Sequence, residues 1–189
     1  LPDKSKGTER VSFFERNVTK AHTEQVAALQ SLFEKMNLDR TSLNDLSWDK
    51  IVQSTQTGLQ KDWRSRSEFW EKSRMLDIHV AHETLPRALR FMDLFIKVLR
   101  AAGHSIRIDV HRMYAVVEGE EIQISLQERN RRVEYIDEFN HHTKSSHPTG
   151  ALYLKREGIP YESKGWSDGP KKGNLEGQIP VIVTDLVTI

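Results

Sequence analysis

The chain has 189 residues, of which 28 are basic and 27 acidic, so its formal net charge at pH 7 is only +1. A nearly neutral chain has no global field that attracts polyanions, and a nucleic-acid site would have to be a local basic patch. The chain has no cysteine, which excludes disulfides, thiolate metal sites and cysteine nucleophiles and suits a cytoplasmic protein. No apolar run approaches the ~18 residues of a membrane span, so we expect no membrane partner.

The first 75 residues predict an arm followed by helices. Residues 1–19 are polar apart from a few apolar positions, which is typical of an extended arm. Apolar residues recur every three or four positions over 20–37, which predicts an amphipathic helix, and Ser47 is a suitable cap for a second one. The expected organisation is therefore an arm at 1–19, a helical extension or subdomain at 20–75, and an α+β domain at 76–189.

The best-patterned part of the sequence is a strand–helix–strand unit between residues 76 and 126. Residues 76–80 alternate as a short strand does, and residues 84–102 carry a wide apolar stripe with Thr84 as the expected cap. Gly103 supplies a helix stop. Strands are predicted at 105–110, 113–117 and 121–127, and the last of them is expected to run on through Val133 and Tyr135.

The C-terminal part predicts one more strand and one more helix. Residues 137–149 read as a polar loop, residues 150–155 as a strand, and residues 158–173 as a loop around Trp166. The last helix is expected at 175–186, with Pro180 tolerated only near its start. The sum is an α+β fold: a mainly antiparallel sheet of about four or five strands covered by two helices, with an N-terminal helical extension.

Three stretches carry a family resemblance: Leu76 to Asp93, Gly119 to Arg132, and Trp166 to Gln178. In them, from about Lys50 onward, the chain resembles a family of uncharacterised bacterial proteins. Members of that family usually carry an N-terminal segment similar to a helix-turn-helix, so this chain would be the region after it. The resemblance implies a bacterial, cytoplasmic protein whose full-length form contacts DNA, and it supplies no catalytic residue and no cofactor.

The densest basic cluster follows the strand that ends at Leu126. Arginines bind phosphate in a bidentate way, and several of them in a stripe would follow a nucleic-acid backbone. The alternative is a solvated edge strand protected by its charges, which the surrounding acidic residues favour. The leading hypothesis is a non-catalytic interaction module that contacts phosphates or a partner. The expected contact residues are Arg129, Arg131, Arg132, Lys155 and Arg156.

A metal-dependent nuclease is the second hypothesis. One large nuclease class places an acid on one strand and an acid-x-lysine on the next, and the carboxylates hold Mg²⁺. Here Asp109 and Glu121 would be the acids, and Gln123 stands at the position of the usual lysine. The plainer interpretation is a charged strand face with a glutamate at a turn.

Histidines in the predicted polar loop suggest a weak metal site. His141, His142 and His147 lie close together in sequence, and imidazoles so placed bind zinc adventitiously. No helical histidine pair supports a built site, so we expect neither a metal nor a cofactor.

The third hypothesis is a protein–protein or oligomerisation domain with an apolar patch around Trp63, Phe69 and Trp70.

Asp168 has two interpretations. It either stabilises the Trp166 turn, which we favour, or forms an acidic site with Glu176.

Overall fold

The structure is a computed structural model, and it describes residues 23–35, 48–60, 75–109, 112–136, 138–139, 141–157 and 165–188. The predicted arm at 1–19, the expected cap Ser47 and the aromatic residues Trp63, Phe69 and Trp70 lie outside the described residues. The apolar patch expected around those three aromatic residues therefore stays a prediction.

Among the described elements, two helices precede the first strand, a third helix follows it, and five successive strands then lead to the C-terminal helices. Residues 23–35 are helical and are called α1. The elements that follow are α2 (Lys50–Gln60), β1 (Ile78–His79), α3 (Leu85–Ala101), β2 (Ser105–Asp109), β3 (Arg112–Val117), β4 (Glu120–Ile136), β5 (His142–Arg156), β6 (Gly165–Ser167), a 3₁₀ helix (Leu175–Gln178) and α4 (Ile179–Val187).

All six described strands belong to one sheet. Its order is β2-β3-β4-β5-β6, and each neighbouring pair is antiparallel. The short β1 is parallel to β4, with Ile78 opposite Leu126, beyond the point where β3 has ended. This architecture confirms the predicted α+β class and its mainly antiparallel sheet.

One face of the sheet carries the core. Alternate residues of β4 and β5 are fully buried, and Leu126 lies opposite Leu154 in the ladder. The helices α3 and α4 cover this face, which is why α3 buries nine of its residues. Phe33, Trp48 and Val52 belong to the same core cluster, so α1 and α2 pack into this core. The predicted boundary between extension and domain stays a prediction.

Two strand predictions near the C-terminal half were wrong. Residues 142–149 are part of β5, not of a polar loop, and β6 lies inside the predicted 158–173 loop.

The predicted role of Thr84 as a helix cap was wrong. Thr84 does precede α3, but its hydroxyl makes no cap hydrogen bond and donates instead to Glu128 at 3.0 Å. The α-helical part of the last helix begins only at Ile179, which places Pro180 in the first turn.

The far halves of β4 and β5 leave the packed sheet together. Residues 130–136 pair with residues 148–142 in register, and we call this two-stranded segment the ribbon. Every residue from 129 to 136 is exposed. The ladder register shifts between Glu128 and Asn130, opposite Gly150, whose φ is +75°. A bulge of this kind bends a strand and increases its twist, so it separates the ribbon from the core-covering part of the sheet.

Replacing Gly150 with alanine tests whether its left-handed backbone is needed. A Cβ at Gly150 meets nothing within 4 Å, so the expected cost is backbone strain alone. We expect Gly150→Ala to lower the free energy of unfolding by about 1 kcal/mol in urea denaturation. Gly177→Ala is the matched control, since its Cβ also meets nothing and its φ is not positive. Equal stability of the two variants would contradict the strain at Gly150.

Candidate interaction surface at the base of the ribbon

Arg87, in the first turn of α3, holds the base of the ribbon from one side. Its Nη1 and Nη2 donate to Asp168 at 2.7 and 2.9 Å, and its Nε and Nη2 donate to Glu176, both at 2.8 Å. Its Nη1 also donates to the carbonyl of Gly150 at 2.9 Å. A guanidinium has five N–H donors, so all of them are used. Arg87 is therefore a structural tie and offers no donor to a ligand.

Asp168 organises the turn that follows β6. Besides Arg87, it accepts from the backbone N–H groups of Leu152 and Leu175, both at 2.7 Å. Burial opposes its ionisation, but the hydrogen bonds from Arg87 and from these two N–H groups outweigh burial, and the pKa of Asp168 lies below its ordinary value of 3.8. The structure thus places Asp168 and Glu176 together, but around an arginine that is bound to both.

Glu128 holds the base of the ribbon from the other side. Its carboxylate accepts from the N–H of Ala81 at 2.8 Å, from the N–H of Gly150 at 2.5 Å and from the hydroxyl of Thr84. Burial would raise its pKa, but these three hydrogen bonds prevail, and the pKa of Glu128 is lower than its ordinary value of 4.5. Gly150 is therefore fixed through its N–H by Glu128 and through its carbonyl by Arg87.

Arg129 lies on the open face of the sheet. Its Nη2 donates to the hydroxyl of Ser167 at 3.0 Å, and its guanidinium lies 5.5 Å from the centre of the Tyr153 ring. The Tyr153 ring in turn lies across Gly165, where a Cβ would come within 2.5 Å of it. A side chain at Gly165 would displace this ring, so the glycine gives the tyrosine its place beside Arg129.

Arg131 and Arg132 stand on opposite faces of the ribbon. Arg131 lies opposite His147, and Arg132 lies opposite Ser146. Both are exposed, and within the described residues neither guanidinium makes a hydrogen bond or an ion pair. The three arginines expected to cluster are thus divided between faces, since Arg131 and Arg132 project from opposite sides of the ribbon, and their role in binding stays a prediction.

Lys155 and Arg156 do not join this cluster. Lys155 lies opposite Ser125 on the open sheet face, where its Nζ binds Glu157 at 2.8 Å. Ser125 is six residues before Arg131 on β4, roughly 20 Å at 3.3 Å per residue. Arg156 lies still farther away, opposite Ile124. The expectation that these two would extend the basic cluster is corrected by the ladder register.

The carboxylates of the nuclease hypothesis share the open face of the sheet. Arg107 donates to Asp109 at 3.5 Å and to Glu121 at 2.6 Å, and it lies 4.7 Å from the centre of the Tyr114 ring. Gln123 donates to Glu157 instead, at 3.3 Å. A guanidinium therefore occupies the position between the acids that a cation would need. The nuclease hypothesis stays a prediction that this geometry does not favour.

Two histidines of the proposed metal site lie on opposite faces of the ribbon. His142 is opposite Ile136, whereas His147 is opposite Arg131 and its Nε2 lies 2.6 Å from the hydroxyl of Ser145. His141 precedes β5 in the exposed turn. Across the part of the chain that the structure describes, no group of three or more metal-binding side chains comes together.

Sequence reasoning missed a row of titratable groups on the open sheet face. Asp77 pairs with His79 at 2.7 Å, and Lys155 and Glu157 lie close to Asp77. Burial raises the pKa of Asp77 despite its histidine partner. The alternation of residues 76–80 places Asp77 and His79 on one face, but only the parallel pairing of β1 with β4 brings them near Lys155.

Comparisons with known proteins add no relative. No protein-family model matches the chain, and neither the curated proteins nor the solved structures contain a match. The resemblance to uncharacterised bacterial proteins thus stays a prediction. None of the described helices is long and apolar enough to cross a membrane.

The lowered pKa values of Asp168 and Glu128 predict how stability depends on pH. A carboxyl whose pKa is depressed in the folded state stabilises the fold above its unfolded pKa, and this contribution is lost as the pH falls through the folded pKa. The free energy of unfolding should therefore fall between about pH 5 and pH 2. Asp168→Asn should flatten this dependence and cost about 2 kcal/mol at pH 7, as measured by urea denaturation across pH.

Asp109→Asn is the matched control for this measurement. Its side chain is 59% exposed and lies outside the Arg87 network. It should leave both the stability at pH 7 and the acid slope close to those of the parent chain. An unchanged acid slope in Asp168→Asn would contradict the role given to Asp168.

Proposed function

We propose that this chain is a non-catalytic interaction module whose ribbon contacts phosphate groups of nucleic acid through Arg131 and Arg132. The observation that carries the proposal is a two-stranded ribbon whose β4 strand is exposed at every residue and carries two unpaired arginine side chains at its base. The Gly150 bulge separates it from the packed sheet. The ribbon adds no residue to the buried core, yet its two strands keep a regular ladder of backbone hydrogen bonds. Such a segment is suited to contact another molecule.

Several cations of the described chain are already bound to carboxylates, whereas Arg131 and Arg132 are not. Arg87, Arg100 and Arg107 bind carboxylates, and so do Lys97 and Lys155. For Arg131 and Arg132, no such partner exists among the described residues. Phosphate binding would therefore displace only water and counterions at these two positions, and counterion release is the main driving force of backbone contact.

The neighbouring residues of the ribbon support a contact with a polyanion. Glu134 is held by Lys144 at 2.9 Å, so its charge is compensated inside the ribbon. Tyr135 is 47% exposed and offers an aromatic surface on the same face of β4 as Arg131, four residues along the strand; single-strand binding sites also combine aromatic and basic groups. A local patch of this kind is compatible with the overall charge of +1, because the Debye length at physiological salt is only about 8 Å.

A salt titration of nucleic-acid binding tests the proposal. Affinity for a short duplex and for a single strand should fall as salt rises, because each phosphate contact releases counterions. The double variant Arg131→Ala/Arg132→Ala should reduce the slope of log K against log salt by roughly 2 for a duplex. Fluorescence anisotropy between low and physiological salt gives both the affinity and the slope.

The matched control is Lys35→Ala/Lys50→Ala. It removes the same formal charge from exposed positions of α1 and α2, away from the ribbon. Its slope should remain within error of the parent. The proposal fails if the parent chain shows no affinity at low salt, or if both double variants lose affinity equally.

A further inference from the structure

The outer edge of β4 lacks a neighbour along the ribbon. β3 pairs with β4 only as far as Ile124, and β1 pairs with it at Leu126 and Gln127. From Asn130 to Ile136, the described strands include no partner for β4 other than β5. An exposed edge with unpaired N–H and C=O groups is a template for another strand. The charges on this edge of β4 determine which strand can pair with it.

Symmetry limits how a second copy can pair with this edge. Two identical strands related by a twofold axis pair in an antiparallel way, and residues directly opposite each other point to the same face. Side chains alternate between the two faces along a strand, so an odd-numbered residue can lie opposite only an odd-numbered one, and an even-numbered residue opposite only an even-numbered one. The twofold axis therefore passes through one residue, which lies directly opposite the same residue of the second copy. Each choice of central residue fixes every other pair.

A twofold axis at Val133 gives complementary pairs along the central part of the edge and places Asn130 opposite Ile136 at each end. Val133 meets its own copy, and each Arg132 lies opposite Glu134 of the second copy. Each Arg131 lies opposite Tyr135 of the second copy, at the distance of a cation–π contact. Opposite charges and aromatic pairs are the cross-strand combinations that stabilise a sheet.

The other registers are less favourable. An axis at Arg131, Arg132 or Glu134 places that charge directly against its own copy, and like charges opposite each other destabilise a sheet. An axis at Tyr135 leaves Glu134 opposite the apolar Ile136 and gives Arg131 and Arg132 no partner within this edge. An axis at Asn130 places Arg131 against Arg129, and an axis at Ile136 pairs no other residue of the edge. Along this edge of the ribbon, Val133 is thus the central residue that the charge pattern selects.

The other edge of the ribbon is unsuited to the same pairing. Residues 142–148 of β5 carry Lys144 but no acidic residue, and Pro148 lacks an N–H donor. Lysine and proline are typical of edges that resist pairing. The exposed apolar side chains are instead on β4, where Val133, Tyr135 and Ile136 are 37%, 47% and 59% exposed.

We propose that a second copy of this chain pairs with the β4 edge of the ribbon about a twofold axis at Val133. The two ribbons then form one continuous four-stranded antiparallel sheet. Arg131 of both copies lies on the same face of that sheet. The inference does not rest on nucleic-acid binding, because its argument uses only the edge, the register and the charges of β4.

A charge-swap experiment with mixed variants tests the pairing. Arg132→Glu puts an acid opposite Glu134 of the second copy, so this variant should be a monomer. Glu134→Arg/Lys144→Glu puts an arginine opposite Arg132 of the second copy and should also be a monomer. The Lys144→Glu change keeps the ion pair within each ribbon, so that the ribbon itself stays intact. Each protein is checked for the parent's cooperative unfolding.

Mixing the two monomeric variants should restore the dimer. In the mixture, both cross-copy pairs again join an acid to an arginine. Sedimentation velocity over a concentration series should show a dimer for the parent, monomers for each variant alone, and a one-to-one heterodimer for the mixture. A parent that stays monomeric at its highest soluble concentration, a variant that dimerises alone, or a mixture that forms no heterodimer would each overturn the proposal.

Discussion

The guanidinium of Arg87 is the constraint on which the arrangement of this protein depends. All five of its N–H groups donate hydrogen bonds, to two carboxylates and one backbone carbonyl. Its partners come from β5, from the turn after β6 and from the 3₁₀ helix, so one side chain of α3 holds three separate parts of the chain together. Partly buried, charge-assisted hydrogen bonds are about twice as strong as neutral ones, and losing Arg87 would leave two acids facing each other.

The hydrogen bonds of Arg87 explain how one sheet can both cover the core and carry an exposed ribbon. The near part of β4 and β5 buries Leu126 and Leu154 under α3 and α4, and the far part buries nothing. Arg87 and Glu128 fix Gly150 at the boundary, through its carbonyl and its N–H. The ribbon therefore leaves the sheet at a defined point. Its exposed arginines and apolar residues are presented on a rigid base.

The sequence predicts the core elements well, because burial imposes a period on apolar residues. The stripe of α3, the alternation of β2 and of the near half of β4, and the apolar run of β3 are found where they were expected. The segment 142–148 was misread as a loop because it contains no buried residue, and a ribbon held by backbone pairing needs no apolar pattern. Its strand character follows from the partner strand, which local sequence does not reveal.

The hydrogen bonds of Arg87 could not be predicted from the sequence, for a different reason. Asp168 and Glu176 lie 81 and 89 residues from Arg87, and no periodicity connects them. The arginines of the ribbon were predictable because they are adjacent in sequence. Lys155 and Arg156 lie away from Arg131 and Arg132, since the ladder places them opposite Ser125 and Ile124, and local sequence does not reveal this pairing.

Removing the ribbon tests most directly whether it is the interacting part of the chain. Replacing residues 131–147 with Asn-Gly, which favours a tight hairpin turn, removes both arginines and shortens β4 and β5 but leaves Arg87, Glu128 and Gly150 in place. The measurement is nucleic-acid affinity at low salt, beside the free energy of unfolding. Our account predicts a chain that unfolds like the parent and has lost its affinity. A shortened chain that binds as tightly as the parent would contradict it.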